Sequence, residues 1–569
     1  MKWEACRVLA WGSDAALTLI ALALAAPIAR AQLLPDAGSI LRQGLPPAFG
    51  LPPKPPPALK IETPEPGKSQ TSSEIRFVLN QVRLTGQTVF TESELLALVQ
   101  DLIGKEVGLA DLEQATARVS RHYRERGYVV ARAYLPAQEL RDGIVEIAVL
   151  EGRIGRVTVE NNSRVRDEVI AARVDSLQGR LVRDQDIDAR LRLVYELSGV
   201  APDARATLNP GANVGETDLA LTLEKDPLIS GTIELDNYGN RFTGGNRLSA
   251  QVNVHSPTGS GDLLSLRATE GLSDLRLYRL SYQVPVSASG LRLGGDYSHV
   301  RYRLGRTFSA LEANGTAGSG LVFASHPLLL GQTYSAHARV SYQHSDIQDR
   351  IDSTSTVTDK TTHLGALAVT GDWLDRLGGG GTNAAALSLA AGKLNIETPL
   401  ARAIDDVTAH TNGGYQKWNL SLMRLQRLGE RVSLYLAYSG QKANKNLDSS
   451  EKIILGGPYG VKAYPQGEAP GDSGYLLNAE LRYDLTGDWI PGRMQLLAFV
   501  DAGSVKINEE PFVSGPNRRQ LGSAGLGGNW FPDRSFQIRL VVAQKLGGER
   551  ALSDTDRPIR GWLQMIFQF

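Results

Sequence analysis

Apolar and polar residues alternate with a period of two from Leu228 to the C-terminus. The segments RLSAQVNVH (247–255), RVSLYLAYSG (431–440) and IRGWLQMIFQF (559–569) each place their apolar side chains on one face. Roughly sixteen such segments follow one another, and strands of ~9–11 residues with this pattern are typical of a transmembrane β-barrel. A soluble β-sandwich is the alternative, but a single domain of that kind rarely runs so long. We therefore predict a sixteen-stranded antiparallel transmembrane β-barrel over residues 227–569.

Two copies of one shorter pattern precede the predicted barrel, over residues 75–151 and 152–226. Each copy predicts a strand, two helices and two further strands (βααββ), which would form a small sheet with two helices on one face. In the first copy, the capping signature Thr91–Glu94 begins the first helix. The second helix, over 112–126, ends at Gly127. The class is therefore mixed: two small α/β domains followed by a barrel.

Residues 1–31 have the pattern of a signal peptide. They begin with the basic residues Lys2 and Arg7, continue with an apolar run and end in A-R-A, so we expect cleavage after Ala31. An uncleaved membrane anchor is the alternative, but the apolar run is short compared with the ~20 residues of a spanning helix.

A short helix and a linker are predicted before the first repeat. Residues 32–44 contain DAGSILRQ, which could form about two helical turns with Asp36 as the cap and Gly44 as the stop. Residues 45–74 are rich in proline, which favours an extended and semi-rigid linker.

Composition excludes several classes of function. The chain has 61 basic and 61 acidic residues, so no basic excess indicates a nucleic acid partner. Cys6, the only cysteine, lies in the predicted signal peptide, so the mature protein would have no disulfide, thiolate metal site or cysteine nucleophile. The eight histidines lack the paired spacing of a metal site. We expect no metal and no cofactor.

An enzymatic function is the first alternative to weigh. Gly471–Gly474 (GDSG) is similar to the serine neighbourhood of chymotrypsin-like proteases, and Thr408–His410 is faintly similar to their histidine motif. However, Tyr475 stands where a further glycine is expected, and both pieces lie within the predicted barrel. We predict that the chain is not an enzyme.

One long connection in the barrel differs from an ordinary outer loop. The stretch GGPYGVKAYPQGEAPGDSG (456–474) joins the eleventh and twelfth predicted strands and follows the apolar residues 453–455. An apolar loop is unfavourable in water. We expect the segment 449–474 to fold back into the barrel lumen.

A second motif lies on the next strand but one. In AFVDAG, the residues Phe499, Asp501 and Gly503 are spaced by two and share a face. If the opposite face contacts lipid, Asp501 points into the lumen, where a partly desolvated carboxylate favours a cation. Lys462 in the loop is the candidate, Gly503 would leave room for the loop backbone, and Phe499 could cover the loop tip. The alternative is that Asp501 lines a wet channel and Lys462 is solvated.

These two motifs resemble those of the two-partner secretion transporters, the hemolysin-activator (FhaC-like) family of outer-membrane pores. AFVDAG resembles the F-x-D-x-G motif of the barrel wall, and the loop tip resembles the V-R-G-Y motif of the lumen loop: Gly460, Val461, Lys462, Ala463 and Tyr464. The resemblance also covers the two repeats, as polypeptide-transport-associated (POTRA) domains, the short helix, as a plug inside the barrel, and the terminal Phe569, as an assembly signal. It implies a pair between Lys462 and Asp501, although lysine lacks the planar fork of the family's arginine.

The resemblance implies a function in protein export. The family takes a large partner exoprotein from the periplasm to the cell surface without a nucleotide, so the expected partners are an adhesin, cytolysin or contact-dependent toxin, outer-membrane lipid and the barrel-assembly machinery. The expected location is the bacterial outer membrane, with the POTRA domains in the periplasm. The alternatives are a barrel-assembly insertase and a passive porin or receptor, neither of which matches both the proline linker and the two repeats.

Overall fold

The computed structural model describes residues 35–43, 60–61, 76–485, 487 and 490–569. The predicted signal peptide, Gly44 and most of the linker lie outside these residues. No helix among the described residues is long and apolar enough to span a membrane.

The N-terminal helix α1 (Ala37–Gln43) has the predicted cap. Oδ1 of Asp36 accepts a hydrogen bond from the backbone N–H of Ser39 at 2.8 Å, which satisfies a free donor of the first turn. The next described element is the two-residue strand β1 (Lys60–Ile61).

The first repeat (residues 76–152) packs two helices on a three-stranded sheet, as predicted. Its sheet has the order β3 (Gln81–Thr85), β6 (Ile144–Leu150) and β5 (Arg132–Tyr134), with β3 and β6 parallel. Thr91 caps the first helix through its side chain, as its sequence signature predicts. The strand that follows the second helix begins only at Arg132, because Tyr128–Ala131 form a turn. The elements are β2 (Phe77–Val78), β3 (Gln81–Thr85), α2 (Glu92–Ala97), β4 (Glu106–Val107), α3 (Leu109–Glu125), β5 (Arg132–Tyr134) and β6 (Ile144–Leu150).

The second repeat (residues 153–226) has the same plan. Its sheet has the order β1, β8 (Arg205–Pro210), β9 (Glu216–Leu223) and β7 (Arg153–Asn161), so the linker strand β1 adds to the edge of the repeat, parallel to β8. Apolar side chains of both helices and of the sheet form one core. The elements are β7 (Arg153–Asn161), α4 (Asp167–Val174), α5 (Asp184–Tyr195), β8 (Arg205–Pro210) and β9 (Glu216–Leu223).

The rest of the chain forms a closed antiparallel barrel of sixteen strands, which confirms the predicted fold class. Consecutive strands pair throughout, and the first strand closes on the last. The connection between the eleventh and twelfth strands carries two short strands, β21 (Ile453–Ile454) and β22 (Pro470–Gly471), which pair with each other. The barrel strands are β10 (Ile229–Asp236), β11 (Arg247–His255), β12 (Leu263–Gly271), β13 (Leu275–Pro285), β14 (Arg292–Arg303), β15 (Ala313–Leu330), β16 (Tyr334–Ile351), β17 (Thr356–Asp375), β18 (Gly381–Ile396), β19 (Gly413–Arg427), β20 (Val432–Ala443), β23 (Ser473–Leu485), β24 (Arg493–Lys506), β25 (Arg518–Phe531), β26 (Phe536–Leu546) and β27 (Ile559–Gln568).

The two faces of the barrel wall differ as the alternation predicts. On β24, Leu496 and Val500 are exposed on the outside, whereas Phe499 and Asp501 are buried inside. We call the end of the barrel next to the second repeat the inner end, and the opposite end the outer end. The longest connections, 397–412, 444–472 and 547–558, all lie at the outer end. The first of them carries a short helix, α6 (Pro399–Val407).

The second repeat contacts the turns of the inner end through its helices. Nη1 of Arg192 donates to the carbonyl oxygen of Gly331 at 3.0 Å, and Nη2 of Arg173 donates to that of Ser287 at 3.2 Å. These charge-assisted bonds fix the repeat on one side of the barrel mouth.

Candidate functional site

The connection between β20 and β23 folds into the lumen, as its apolar sequence predicts. Leu455 and Val461 are fully buried in a cluster with lumen-facing residues of β26 and β27, including Val541 and Trp562. We call residues 449–472 the lumen loop. The loop occupies space that would otherwise be part of the pore.

The tip of the lumen loop is held by an ion pair with the barrel wall. Nζ of Lys462 lies 2.8 Å from Oδ1 of Asp501, and the backbone N–H of Lys462 donates to Oδ2 at 3.1 Å. Asn478 and Ser523 each donate to the same carboxylate at 2.7 Å. Both charges are buried, so each depends on the other and on these neutral donors.

A second carboxylate, which sequence reasoning missed, contacts the same lysine. Oε1 of Glu480 lies 3.4 Å from Nζ of Lys462 and 3.0 Å from Nη2 of Arg539. Nη2 of Arg482 lies 2.9 Å from the other oxygen of Glu480. An ammonium is a point charge and can face two carboxylates at once, which offsets the loss of arginine's bidentate grip. The alternation in LLNAELRYDL (476–485) places Glu480 on the lumen face, so the sequence pattern could have identified it as a second lumen carboxylate.

Backbone contacts also fix the loop tip. Nε1 of Trp562 donates to the carbonyl oxygen of Lys462 at 2.6 Å, and the hydroxyl of Tyr464 donates to that of Glu549 at 2.9 Å. Gly460 permits the tight turn, because a Cβ there would lie 2.0 Å from the carbonyl oxygen of Leu455. Any larger residue at Gly460 would therefore displace the tip.

The remaining motif residues have partly different neighbours from those expected. Phe499 lies beside the tip, with Nζ of Lys462 4.5 Å from its ring centroid. Gly503 leaves room for the side chain of Leu455 and not for loop backbone, since a Cβ at Gly503 would lie 2.9 Å from a Leu455 methyl group. Ala463, which follows the lysine in the chain, is buried in the same apolar cluster as Leu455.

Helix α1 lies inside the barrel toward its outer end. Ala37, Ile40 and Leu41 are buried against lumen-facing residues of β13 to β16, such as Leu277 and Ile347. The helix thus fills a second part of the lumen, beside the loop.

Polar contacts tie both ends of α1 to the wall and to the lumen loop. The N–H of Ala37 donates to Oδ1 of Asp349 at 2.9 Å. The side chain of Asp36 accepts a hydrogen bond from Ser449. Arg42 donates weakly to the carbonyl oxygen of Ser450 at 3.4 Å. The helix and the loop therefore form one internal unit that is held by side-chain contacts.

The terminal residue Phe569 lies at the barrel seam. Its N–H and carbonyl oxygen both pair with the backbone of Gly231, at 3.0 and 2.9 Å. Its ring covers Gly231, where a Cβ would lie 2.5 Å from the ring. The last residue thus closes the ladder between β27 and β10 at the inner end.

Comparison with known families gives two matches along the chain. Residues 77–152 match the POTRA domain of the ShlB type. Residues 215–527, more than half of the chain, match the haemolysin secretion/activation proteins ShlB/FhaC/HecB.

Individual proteins agree with this result. The heme/hemopexin transporter protein HuxB of Haemophilus influenzae (strain 86-028NP) is 27% identical over 89% of each chain. The outer membrane transporter CdiB of Dickeya dadantii is 23% identical over 75% of this chain and 76% of its own. The solved structure of CdiB from Escherichia coli superposes with a TM-score of 0.70 at 18% identity, covering 89% of this chain and 93% of that one, which supports the fold. The chain belongs to the ShlB/FhaC/HecB family of haemolysin secretion/activation proteins, the outer-membrane transporters of two-partner secretion.

Proposed function

We propose that this chain exports one large partner exoprotein, which the two repeats bind in the periplasm and which then passes unfolded through the barrel to the cell surface. The partner would be an adhesin, a cytolysin or a contact-dependent toxin with an N-terminal secretion domain. No nucleotide, metal or other cofactor takes part.

The observation that carries this proposal is the content of the lumen. The barrel is filled by two segments of its own chain, α1 and the lumen loop, and neither is a strand of the wall. Helix α1 has seven residues, and its buried apolar side chains number only a few. A filler of this kind can leave, whereas a permanently packed core cannot.

The edges of the repeats are the proposed binding sites for the partner. An unfolded chain presents unpaired backbone groups, and strand addition to a sheet edge binds them with little demand on sequence. In the second repeat, β8 would be the edge strand without β1, and it pairs with β1 through Lys60–Thr207 and Ile61–Leu208, which supports its ability to take an added strand.

We assign the residues of the two motifs to a lock on the lumen loop. In this assignment Lys462 and Asp501 hold the tip, and their neighbours set its position: Gly460, Val461, Ala463, Tyr464, Phe499 and Gly503.

Phe569 is assigned as the signal that the barrel-assembly machinery recognises. The proposed route begins with cleavage after Ala31, and the repeats remain in the periplasm while the barrel inserts into outer-membrane lipid.

Transport in this proposal needs no energy from the transporter. A partner that has folded outside the cell can no longer pass back through the lumen, so its folding there biases transport outward.

Hydrolysis is not part of the proposed function. The hydroxyl of Ser473 has a structural partner instead, since it accepts a hydrogen bond from the N–H of Ala443 at 2.9 Å.

Deletion of the gene tests the proposal against its alternatives. We expect one large exoprotein to disappear from the cell surface, while the amounts of other outer-membrane barrels and the uptake of small solutes stay unchanged. A loss of many barrels would indicate an insertase. A change in solute uptake alone would indicate a porin or receptor.

A further inference from the structure

Three exposed arginines lie on the outside of the barrel at the outer end of β13 and β14. Arg276 and Arg301 are directly opposite each other in the register of these strands. Arg303 follows two residues further out and therefore shares their face. Residues on the alternate face, such as Leu275 and Tyr302, are buried in the lumen. The arginines consequently point away from the export route.

Their height along the strand matches the edge of a bilayer. The outward-facing positions run from Val286, directly after β13 at the inner end, through Tyr282, Leu280 and Tyr278 to Arg276, and all five side chains are exposed. This stretch of about ten residues, at ~3.4 Å per residue and a tilt of ~40°, rises ~26 Å, close to the ~25 Å apolar band of such barrels. From Leu280 outward, the order of leucine, tyrosine and arginine is the order from acyl chain to headgroup.

The three guanidinium groups lack sufficient negative charge of their own. Among the described residues, Arg301 and Arg303 have no side-chain hydrogen bond or ion pair, and Arg276 has only Glu270, at 3.7 Å, with both side chains more than half exposed. Side chains directly opposite each other in an antiparallel pair have Cβ atoms ~4.5–5.5 Å apart, and like charges there are destabilising. An external anion would relieve this repulsion.

We propose that Arg276, Arg301 and Arg303, the arginine patch, bind the phosphate of a glycolipid in the outer leaflet. Guanidinium groups hold phosphate through paired N–H donors. Thr316, opposite Arg301 on β15, adds a neutral hydroxyl beside the patch. The acyl chains of the same lipid would lie along the apolar surface toward Leu280, so one molecule satisfies both parts of the surface. The patch is separate from the lumen, and the inference does not depend on the export mechanism.

Titration of the full-length protein in detergent micelles with bisphosphorylated lipid A, followed by native mass spectrometry, tests the proposal. The triple variant Arg276→Gln/Arg301→Gln/Arg303→Gln should bind at least about tenfold more weakly than the wild type, because charge-assisted contacts to phosphate are lost. Lipid A without phosphates should bind the wild type as weakly as phosphorylated lipid A binds the variant.

A matched control separates the patch from total charge. Arg518, Arg550 and Arg557 are exposed arginines at the outer end on other strands and loops, and their triple glutamine variant should keep wild-type affinity. Equal binding by the patch variant and the wild type would overturn the proposal, as would equal binding of lipid A with and without phosphates. Inorganic phosphate should not displace the lipid at equal concentration; displacement would show a general anion site and contradict the assignment to lipid.

Discussion

At the scale of single residues, the lumen loop depends on one buried cation. Lys462 faces Asp501 and Glu480 at 2.8 and 3.4 Å, in a site that water does not reach. Removing one partner of a buried ion pair typically costs ~3–5 kcal/mol, because the remaining charge is left without compensation. The two carboxylates therefore share the task of holding the loop tip.

We predict that Asp501→Ala impairs export while the barrel still inserts. The substitution removes the carboxylate that accepts from Lys462, Asn478 and Ser523, and Glu480 alone already has two arginine partners. Surface exoprotein and barrel insertion would be measured together.

Lys462→Arg is the matched control for this experiment and should keep export, since its charge is retained. Wild-type secretion by Asp501→Ala, with the barrel inserted, would show that the ion pair has no role in transport.

A buried carboxylate outside the membrane offers a pH test of the first repeat. Burial would raise the pKa of Glu151, but hydrogen bonds from Thr88, Val89 and Tyr123 outweigh burial and hold that pKa below its usual value. A depressed carboxylate pKa stabilises the fold above about pH 4.5, and this stability is lost as the pH falls through the folded-state pKa.

Glu151→Gln should therefore lower the unfolding temperature of the first repeat by about 6–24 °C at pH 7, as expected for losing ~1.5–3 kcal/mol of charged hydrogen bonding in a domain of this size. The difference from the wild type should narrow at pH 3. Calorimetry of the full-length protein measures both, with the exposed Glu139→Gln as the control. If the difference in unfolding temperature between Glu151→Gln and the wild type is the same at pH 7 and pH 3, the charge of Glu151 does not stabilise the first repeat.

Some of these residues could be found from sequence, and others could not. The period of two places Phe499, Asp501 and Gly503 on one face, and a lumen carboxylate indicates a cation nearby. Trp562, in contrast, contacts the carbonyl oxygen of Lys462 from a distance of 100 positions along the chain. That contact depends on the curvature of the closed barrel, which alternation alone does not specify.

At the scale of elements, α1 is the segment best suited to move. It is anchored mainly by Ile40 and Leu41, each worth ~1.5–3 kcal/mol when fully buried, and by contacts to Asp349 and Ser449. The total free energy that holds α1 in the lumen is therefore small, so the helix can be released from the pore.

We predict that deleting residues 36–44 raises ion conductance in planar bilayers without abolishing export. The helix fills lumen space, and the wall does not need it to close. Deleting linker residues 46–54 is the control and should leave conductance low. Unchanged conductance after the first deletion would remove the plug assignment.

Element prediction succeeded where local chemistry was explicit. The Thr91 and Asp36 caps each begin a helix where their signatures predict. Helix α6 was missed, although Thr398 followed by Pro399 is a recognised start of a helix. Strands β15 to β18 have 16 to 20 residues and exceed the expected length, because they extend past the bilayer into the outer loops.

At the scale of the whole molecule, the barrel couples three parts with different environments. The second repeat contacts the turns at the inner end, the loop and helix lie in the lumen, and apolar residues cover the outside. The alternating pattern was sufficient to predict this architecture, since a closed barrel is the way for strands to satisfy their backbone groups in lipid. The contact between the second repeat and the barrel was not predictable, because it depends on arginines that also fit an ordinary helix surface.

In the proposed function, the partner travels through the lumen. Two neighbours on β16 provide a matched pair for testing it: Gln343 faces the lumen, where its amide donates to Ser319 at 3.0 Å, and Tyr342 faces outward, beside His363. A photo-crosslinking residue at either position would be activated while an exoprotein is stalled in transit. We predict an adduct with the exoprotein from position 343 and none from position 342. An adduct from position 342, or none from position 343 while export proceeds, would contradict it.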